Sequence, residues 1–242
     1  MRAYAIGDIH GHLGLLKGVH DLIAADISCH GPAPVVHLGD LVDRGPDSRG
    51  VIDYLSQGID EGRDWVVLKG NHDRMFTRFL RNPWEREPGL RSEFNWLHPR
   101  LGGAATLASY GVAKAADRPI DKILAEAQAA IPQAHLDFLN SRPAWHQIGL
   151  ALFVHAGIRP GIAIADQSET DLVWIREGFL DDPRDHGVLV VHGHTAIDTP
   201  THYGNRVNID SSAAYGGPLS AIAIEGRDVF HLTAQGRVPL TP

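Results

Sequence analysis

Asp8 and His10 stand two residues apart in Gly7-Asp8-Ile9-His10-Gly11, so in extended backbone both side chains leave on one side and can hold one cation. Four further residues of metal-ligating type lie in similar settings, each beside a short apolar run and next to or near glycine: Asp40, Asn71, His155 and His194. Together they offer two carboxylates, one amide oxygen and three imidazoles, with no sulfur. Such a mixed set suits manganese, iron or zinc in an open, water-holding geometry better than a closed structural zinc site. Six ligands are too many for one catalytic cation with a free position, but a carboxylate shared between two cations accommodates them, and Asp40 is the natural bridge. Two metals about 3.5 to 4 Å apart hold and acidify a water and clamp the oxygens of an in-line displacement at phosphorus. The chemistry expected is attack by hydroxide held between the two metals, without a phosphoenzyme.

The same corners hold residues for the remaining steps. His72 can protonate a leaving oxygen, and Asp43 can accept the other imidazole N–H, orienting the ring and favouring its protonated form. Arg44 offers a planar fork for two phosphate oxygens, and Arg176, in Leu172-Val173-Trp174-Ile175-Arg176, is a second candidate. His192 shares a strand face with His194 and is its alternative. Trp84, Phe94 and Trp96 read as the core of a helical segment or as a substrate wall. His12 is placed to help start the first helix.

The elements that must position these residues follow a strand, polar corner, helix rhythm. Residues 2–6, 34–38 and 65–68 read as strands, each followed by a Gly-Asp or Gly-Asn corner and then an apolar stripe at helical spacing. That alternation implies right-handed crossovers and a largely parallel sheet with all three corners on one rim. Residues 82–142 read as a helical insert, with helices at 121–130 and 133–140. Apolar runs at 148–154, 188–191, 206–209, 219–224 and 228–232 suggest strands joined by hairpins. The whole chain, 1–242, reads as one unit, a sandwich with outer helices.

Lys and Arg sum to 22 against 29 Asp and Glu, a net charge of −7. No broad basic face is available for a nucleic-acid backbone, so nucleic acid is not an expected partner. A pocket with two cations still attracts phosphate, because near charges outweigh distant ones. The lone Cys29 excludes an internal disulfide, no apolar run is long enough to span a bilayer, and the first six residues are too short for a signal-peptide core, so a cytoplasmic location is expected. Cys29 has Val35 rather than arginine six positions on, and neither a Gly-x-Ser-x-Gly elbow nor a Gly-x4-Gly-Lys-Ser/Thr loop occurs. Cysteinyl-phosphate, serine-hydrolase and P-loop chemistries are therefore set aside.

Five ordered motifs, Gly7-Asp8-Ile9-His10-Gly11, Gly39-Asp40-Leu41-Val42-Asp43-Arg44-Gly45, Gly70-Asn71-His72-Asp73, His155-Ala156-Gly157 and Gly193-His194-Thr195, resemble the metallophosphoesterases of the phosphoprotein phosphatase family, with bacterial and phage serine/threonine phosphatases nearest. The resemblance spans almost the whole chain, including Gly102-Gly103 to Gly111 and Asn208-Ile209-Asp210 to Pro218. It implies an α/β fold with a central β-sandwich flanked by helices. It also implies one metal on Asp8, His10 and Asp40 and a second on Asp40, Asn71, His155 and His194, with manganese placed first and iron or zinc also accepted. His72, Asp43, Arg44 and Arg176 take the acid, orienting and phosphate roles, and Lys69 stands where many relatives carry arginine. Phosphoserine or phosphothreonine in proteins is the expected substrate. The alternative is a symmetrical dinucleoside tetraphosphate hydrolase, a family that often replaces the aspartate matching Asp43 with alanine and the residue matching Thr195 with a bulky one. A catalytically silent binding module ranks last, since no ligand and no acid is missing.

Overall fold

The computed structural model describes residues 1–242. The chain runs β1 (Arg2–Ile6), α1 (Leu13–His30), β2 (Val35–His37), α2 (Ser48–Asp60), β3 (Trp65–Val67) and α3 (Asn71–Arg81), then α4 (Gly103–Ser109), α5 (Ile120–Ala130) and α6 (Gln133–Asn140). The remainder comprises β4 (Trp145–Ile148), β5 (Ala151–Val154), α7 (Glu169–Trp174), β6 (Leu189–His192), β7 (Thr201–His202), β8 (Arg206–Asn208), β9 (Ala221–Glu225), β10 (Asp228–Thr233) and β11 (Gly236–Leu240). Two mixed sheets result, ordered β11-β10-β9-β1-β2-β3 and β4-β5-β6-β8-β7.

The layers follow from the two-residue period of a strand. In β1, Tyr4 and Ile6 join the core under the helices while Ala3 and Ala5 face the other sheet. In β9, Ala221 and Ala223 take the helix side, and Ile222 and Ile224 the inter-sheet side. The second sheet does the same: Ala151 and Phe153 of β5 meet the inter-sheet core, and Leu152 and Val154 pack with Leu172 and Phe179 on the outer face. Strands buried on both faces read as continuous apolar runs, which is why they were conspicuous in the sequence. Leu107, Ile123, Ala127 and Leu139, from α4, α5 and α6, share one core with Leu55 of α2 and Phe76 of α3.

Three details depart from the sequence reading. The run 148–154 is a tight hairpin rather than one strand: Gly149 takes φ +58° and Ile148 pairs with Ala151. The C-terminal strands are not one antiparallel half, since β5, β6 and β8 are mutually parallel while β9, β10 and β11 complete the first sheet. Strand β11 has no clear signature in the sequence because Pro239 breaks its pattern, and an edge strand tolerates the missing N–H. No helix is long and apolar enough to cross a membrane.

Candidate functional site

Parallel pairing of β1 with β2 and of β2 with β3 brings the first three corners to one edge of the first sheet. Parallel pairing of β5, β6 and β8 brings the loops bearing His155, His194 and Asp210 to one edge of the second. Hydrogen bonds tie the corners together within and between the sheets. The backbone N–H groups of Ile9 and His10 both donate to the Asp40 carbonyl, at 3.1 and 2.7 Å. His155 donates through Nδ1 to the Leu38 carbonyl at 2.9 Å, and the His194 N–H donates to Asp8 Oδ2 at 3.0 Å, each joining one sheet to the other.

Only seven non-glycine residues adopt positive φ, and five of them are His10, Asp40, Asp43, Arg44 and His194. Left-handed backbone at residues with a Cβ carries a free-energy cost and persists where its surroundings fix it, so strain is concentrated where the candidate residues sit. Close backbone approach matters as well. A Cβ on Gly70 would collide with Asp40, and one on Gly193 with Asp8 Oδ1. Gly193→Ala is therefore expected to displace the Asp8 carboxylate and weaken Mn²⁺ binding by on the order of 10- to 100-fold, the usual cost of disturbing a ligand's support. Calorimetric Mn²⁺ titration checks this, and unchanged affinity in a folded variant removes the assigned role of Gly193.

The donor atoms of His10, Asp40 and His72 lie within 4.8 Å of one another, as do those of Asp40, His155 and His194, so Asp40 belongs to both groups. Its two oxygens face opposite ways: Oδ1 is 3.3 Å from His155 Nε2, and Oδ2 is 3.4 Å from His10 Nε2. The chemistry of these contacts calls for a cation. A carbonyl only accepts, so the His155 ring must place its proton on Nδ1, and in its neutral form Nε2 faces Asn71 Oδ1 at 2.8 Å and Asp40 Oδ1 as acceptor against acceptor. His10 likewise places its proton on Nδ1, which donates to the Val42 carbonyl at 2.9 Å, but its Nε2 accepts from Arg44. Burial lowers the pKa of His10, His155 and His194, which favours the neutral form that ligates. His194 Nε2 and Asp8 Oδ1 are buried without any hydrogen-bond partner. Burial, then the Asp210 and Asp40 carboxylates, raises the pKa of Asp8, and burial with Asp40 nearby pushes Asp73 up to about 7. Such crowding of carboxylates and lone pairs is relieved by divalent cations, so the residues present fit a metal centre. Asp8 lies outside both groups of three, reached through its bond to the His194 N–H.

His72 Nδ1 meets Asp43 Oδ2 at 2.6 Å, and its Nε2 lies 4.0 Å from Asp40 Oδ2. Asp43 is fully buried and saturated: Trp96 Nε1 donates to Oδ2 at 2.8 Å, and Thr106 Oγ1 donates to Oδ1 at 2.7 Å. Arg44 Nη1 donates to His10 Nε2 at 2.7 Å, and Arg176 Nη2 donates to the His194 carbonyl at 3.2 Å. All ten residues singled out from the sequence thus come to one region. His192 does not: it is engaged by Gly193 and Arg206. Lys69 pairs with Glu169, and His12 starts α1 through its backbone alone. Trp96 belongs to the core and lines a pocket with Trp84 and Phe94, and its indole N–H also holds Asp43. Asp73 and Thr106 were given no role from the sequence. Asp73 accepts from the Gly70 and Leu41 N–H groups at 2.8 and 2.9 Å, tying two corners together. Its place in Gly70-Asn71-His72-Asp73 was the available signal, whereas Thr106 had only its nearness to Gly102-Gly103.

The calcineurin-like phosphoesterase profile matches residues 1–219. The chain belongs to that family. An asymmetrical bis(5'-nucleosyl)-tetraphosphatase, PrpE of Anoxybacillus flavithermus, is 27% identical over 224 residues, covering 90% of this chain and 88% of that protein. Among solved structures, a cold-active protein-tyrosine phosphatase of a psychrophilic Shewanella aligns with a TM-score of 0.63 at 18% identity, over 99% of this chain and 80% of that one. A protein serine/threonine phosphatase of Saccharomyces cerevisiae aligns with a TM-score of 0.55 at 14% identity, over 93% and 72%. At these identities the structures establish the shared phosphoesterase fold. The calcineurin-like chain is thus a metallophosphoesterase. The curated relative is named for asymmetrical cleavage, whereas the dinucleotide alternative weighed from the sequence was the symmetrical one.

Proposed function

We propose that this metallophosphoesterase hydrolyses dinucleoside tetraphosphates asymmetrically, releasing a nucleoside triphosphate and a nucleoside monophosphate. The similarity to PrpE over nine-tenths of the chain supports the substrate, and the His72–Asp43 pair beside the Asp40 cluster supports the chemistry. Asp8, His10, Asp40, Asn71, His155 and His194 would hold two divalent cations, manganese the first choice, which would supply a water nucleophile at neutral pH and offset charge on the reacting phosphorus. His72 donates the proton of Nε2 to the leaving oxygen while Asp43 grips Nδ1–H and stabilises the charged ring. Trp96 and Thr106 fix Asp43, so the imidazole is held in one orientation. Arg44 and Arg176 bind the phosphate oxygens, Arg44 from one side of the cluster and Arg176 from the His194 side.

Removal of phosphate from phosphoserine or phosphothreonine in proteins is the second reading. It is favoured by the complete His72–Asp43 pair, because an alkoxide is a poor leaving group and depends most on an acid. Turnover of diadenosine tetraphosphate and of a phosphothreonine peptide by the Mn²⁺-loaded protein separates the two. We expect faster turnover of the dinucleotide, with ATP and AMP as products. ADP as sole product would replace asymmetrical by symmetrical cleavage, and a preference for the peptide would reverse the order of the readings.

A further inference from the structure

Beside Arg44 lies an open groove of about 480 Å³ that the catalytic roles leave unused. Ala104, Ala105 and Ala214 line it with small side chains, together with Arg100 and the Tyr215 ring, which is 68% exposed. The Arg44 guanidinium carbon sits 5.1 Å from the centre of that ring while its Nη1 reaches His10, so one side chain spans from groove to cluster. A large aromatic ring left in solvent beside the Arg44 guanidinium, in a groove lined by alanine methyl groups, suits a planar ligand carrying phosphate. Aromatic side chains bind bases through their faces, and guanidinium groups add charge attraction to both ring and phosphate.

We propose that this groove is a nucleoside subsite: a nucleobase lies against Tyr215 among the alanine methyl groups, and its 5'-phosphate rests on Arg44. The alanine methyls offer no side-chain hydrogen-bonding groups, so the subsite accepts bases by stacking and discriminates little among them. Because the Arg44 side chain reaches from the groove to His10, the phosphate that Arg44 holds on the bound nucleoside is the one set beside the cluster. Attack there releases a nucleoside monophosphate and leaves the other three phosphates on the departing nucleotide, the asymmetrical outcome. The subsite therefore deepens the dinucleotide reading above.

Calorimetric titration of the Mn²⁺-loaded protein with AMP and with ribose 5-phosphate tests it. AMP should bind more tightly by on the order of tenfold, the usual worth of one stacked base. That ratio should fall close to one in Tyr215→Ala and in Ala105→Trp, which fills the groove, and be retained in Tyr215→Phe. Equal affinity for the two ligands in the unaltered protein, or a preference for AMP that survives both disruptive changes, overturns the subsite. An AMP preference that depends on Tyr215 supports the subsite even where diadenosine tetraphosphate is not turned over, and that failure removes only the substrate.

Discussion

Asp40→Asn should leave a folded protein that no longer retains two cations. Asp40 is the only carboxylate shared by both ligand groups, with one oxygen turned to His155 and the other to His10. The substitution keeps the shape and removes the charge, so neither cation is offset by a bridging anion, and one of the two inward oxygens becomes an N–H₂ that cannot ligate. The loss of metal affinity should exceed the 10- to 100-fold typical of an outer-shell change, and activity should fall with it. Elemental analysis after dialysis reads the result: about two Mn²⁺ per chain in the unaltered protein and fewer than one in the variant. Full occupancy in Asp40→Asn would falsify the bridging role. Circular dichroism separates metal loss from unfolding, because the inter-sheet core around Phe153, Val191 and Ile222 does not involve Asp40.

His72→Asn should do the opposite, keeping both cations and losing turnover. His72 Nδ1 is committed to Asp43, so the ring is placed to deliver a proton rather than to complete a ligand set. Loss of a general acid costs on the order of 10² to 10⁴ in rate. The loss should depend on the leaving group, being largest for an alkyl phosphate and small for p-nitrophenyl phosphate, whose phenolate departs without a proton. Measuring both substrates at saturating Mn²⁺ distinguishes acid catalysis from a structural role, which would slow them alike. Metal loss in this variant would instead make His72 a ligand beside His10 and Asp40, an arrangement the donor-atom spacing also permits.

The gathering of the candidate residues was legible from the sequence because each sits in a short corner beside an apolar run. Asp8, Asp40 and Asn71 follow β1, β2 and β3, and a parallel sheet places such corners on one edge whatever the intervening helices contain. His155 and His194 were readable for the same reason, through β5 and β6. What holds Asp43 in place was not readable. Trp96 lies 53 residues from Asp43 and Thr106 lies 63, on a loop and a short helix whose approach no local pattern encodes. Tyr215 likewise had no visible role until the loop after β8 laid it beside Arg44.

By itself the sequence determined the side-chain types of the candidate site, their order and the two-residue alternation that makes a double-faced core, since these depend on side-chain chemistry and strand geometry within a few residues. Tertiary structure alone decided that Asp40 faces both ways, that Asp43 is saturated by Trp96 and Thr106, and that an open groove adjoins Arg44. Those outcomes depend on how two sheets and the helices over them meet, and long-range packing of buried surfaces, not local propensity, sets that meeting.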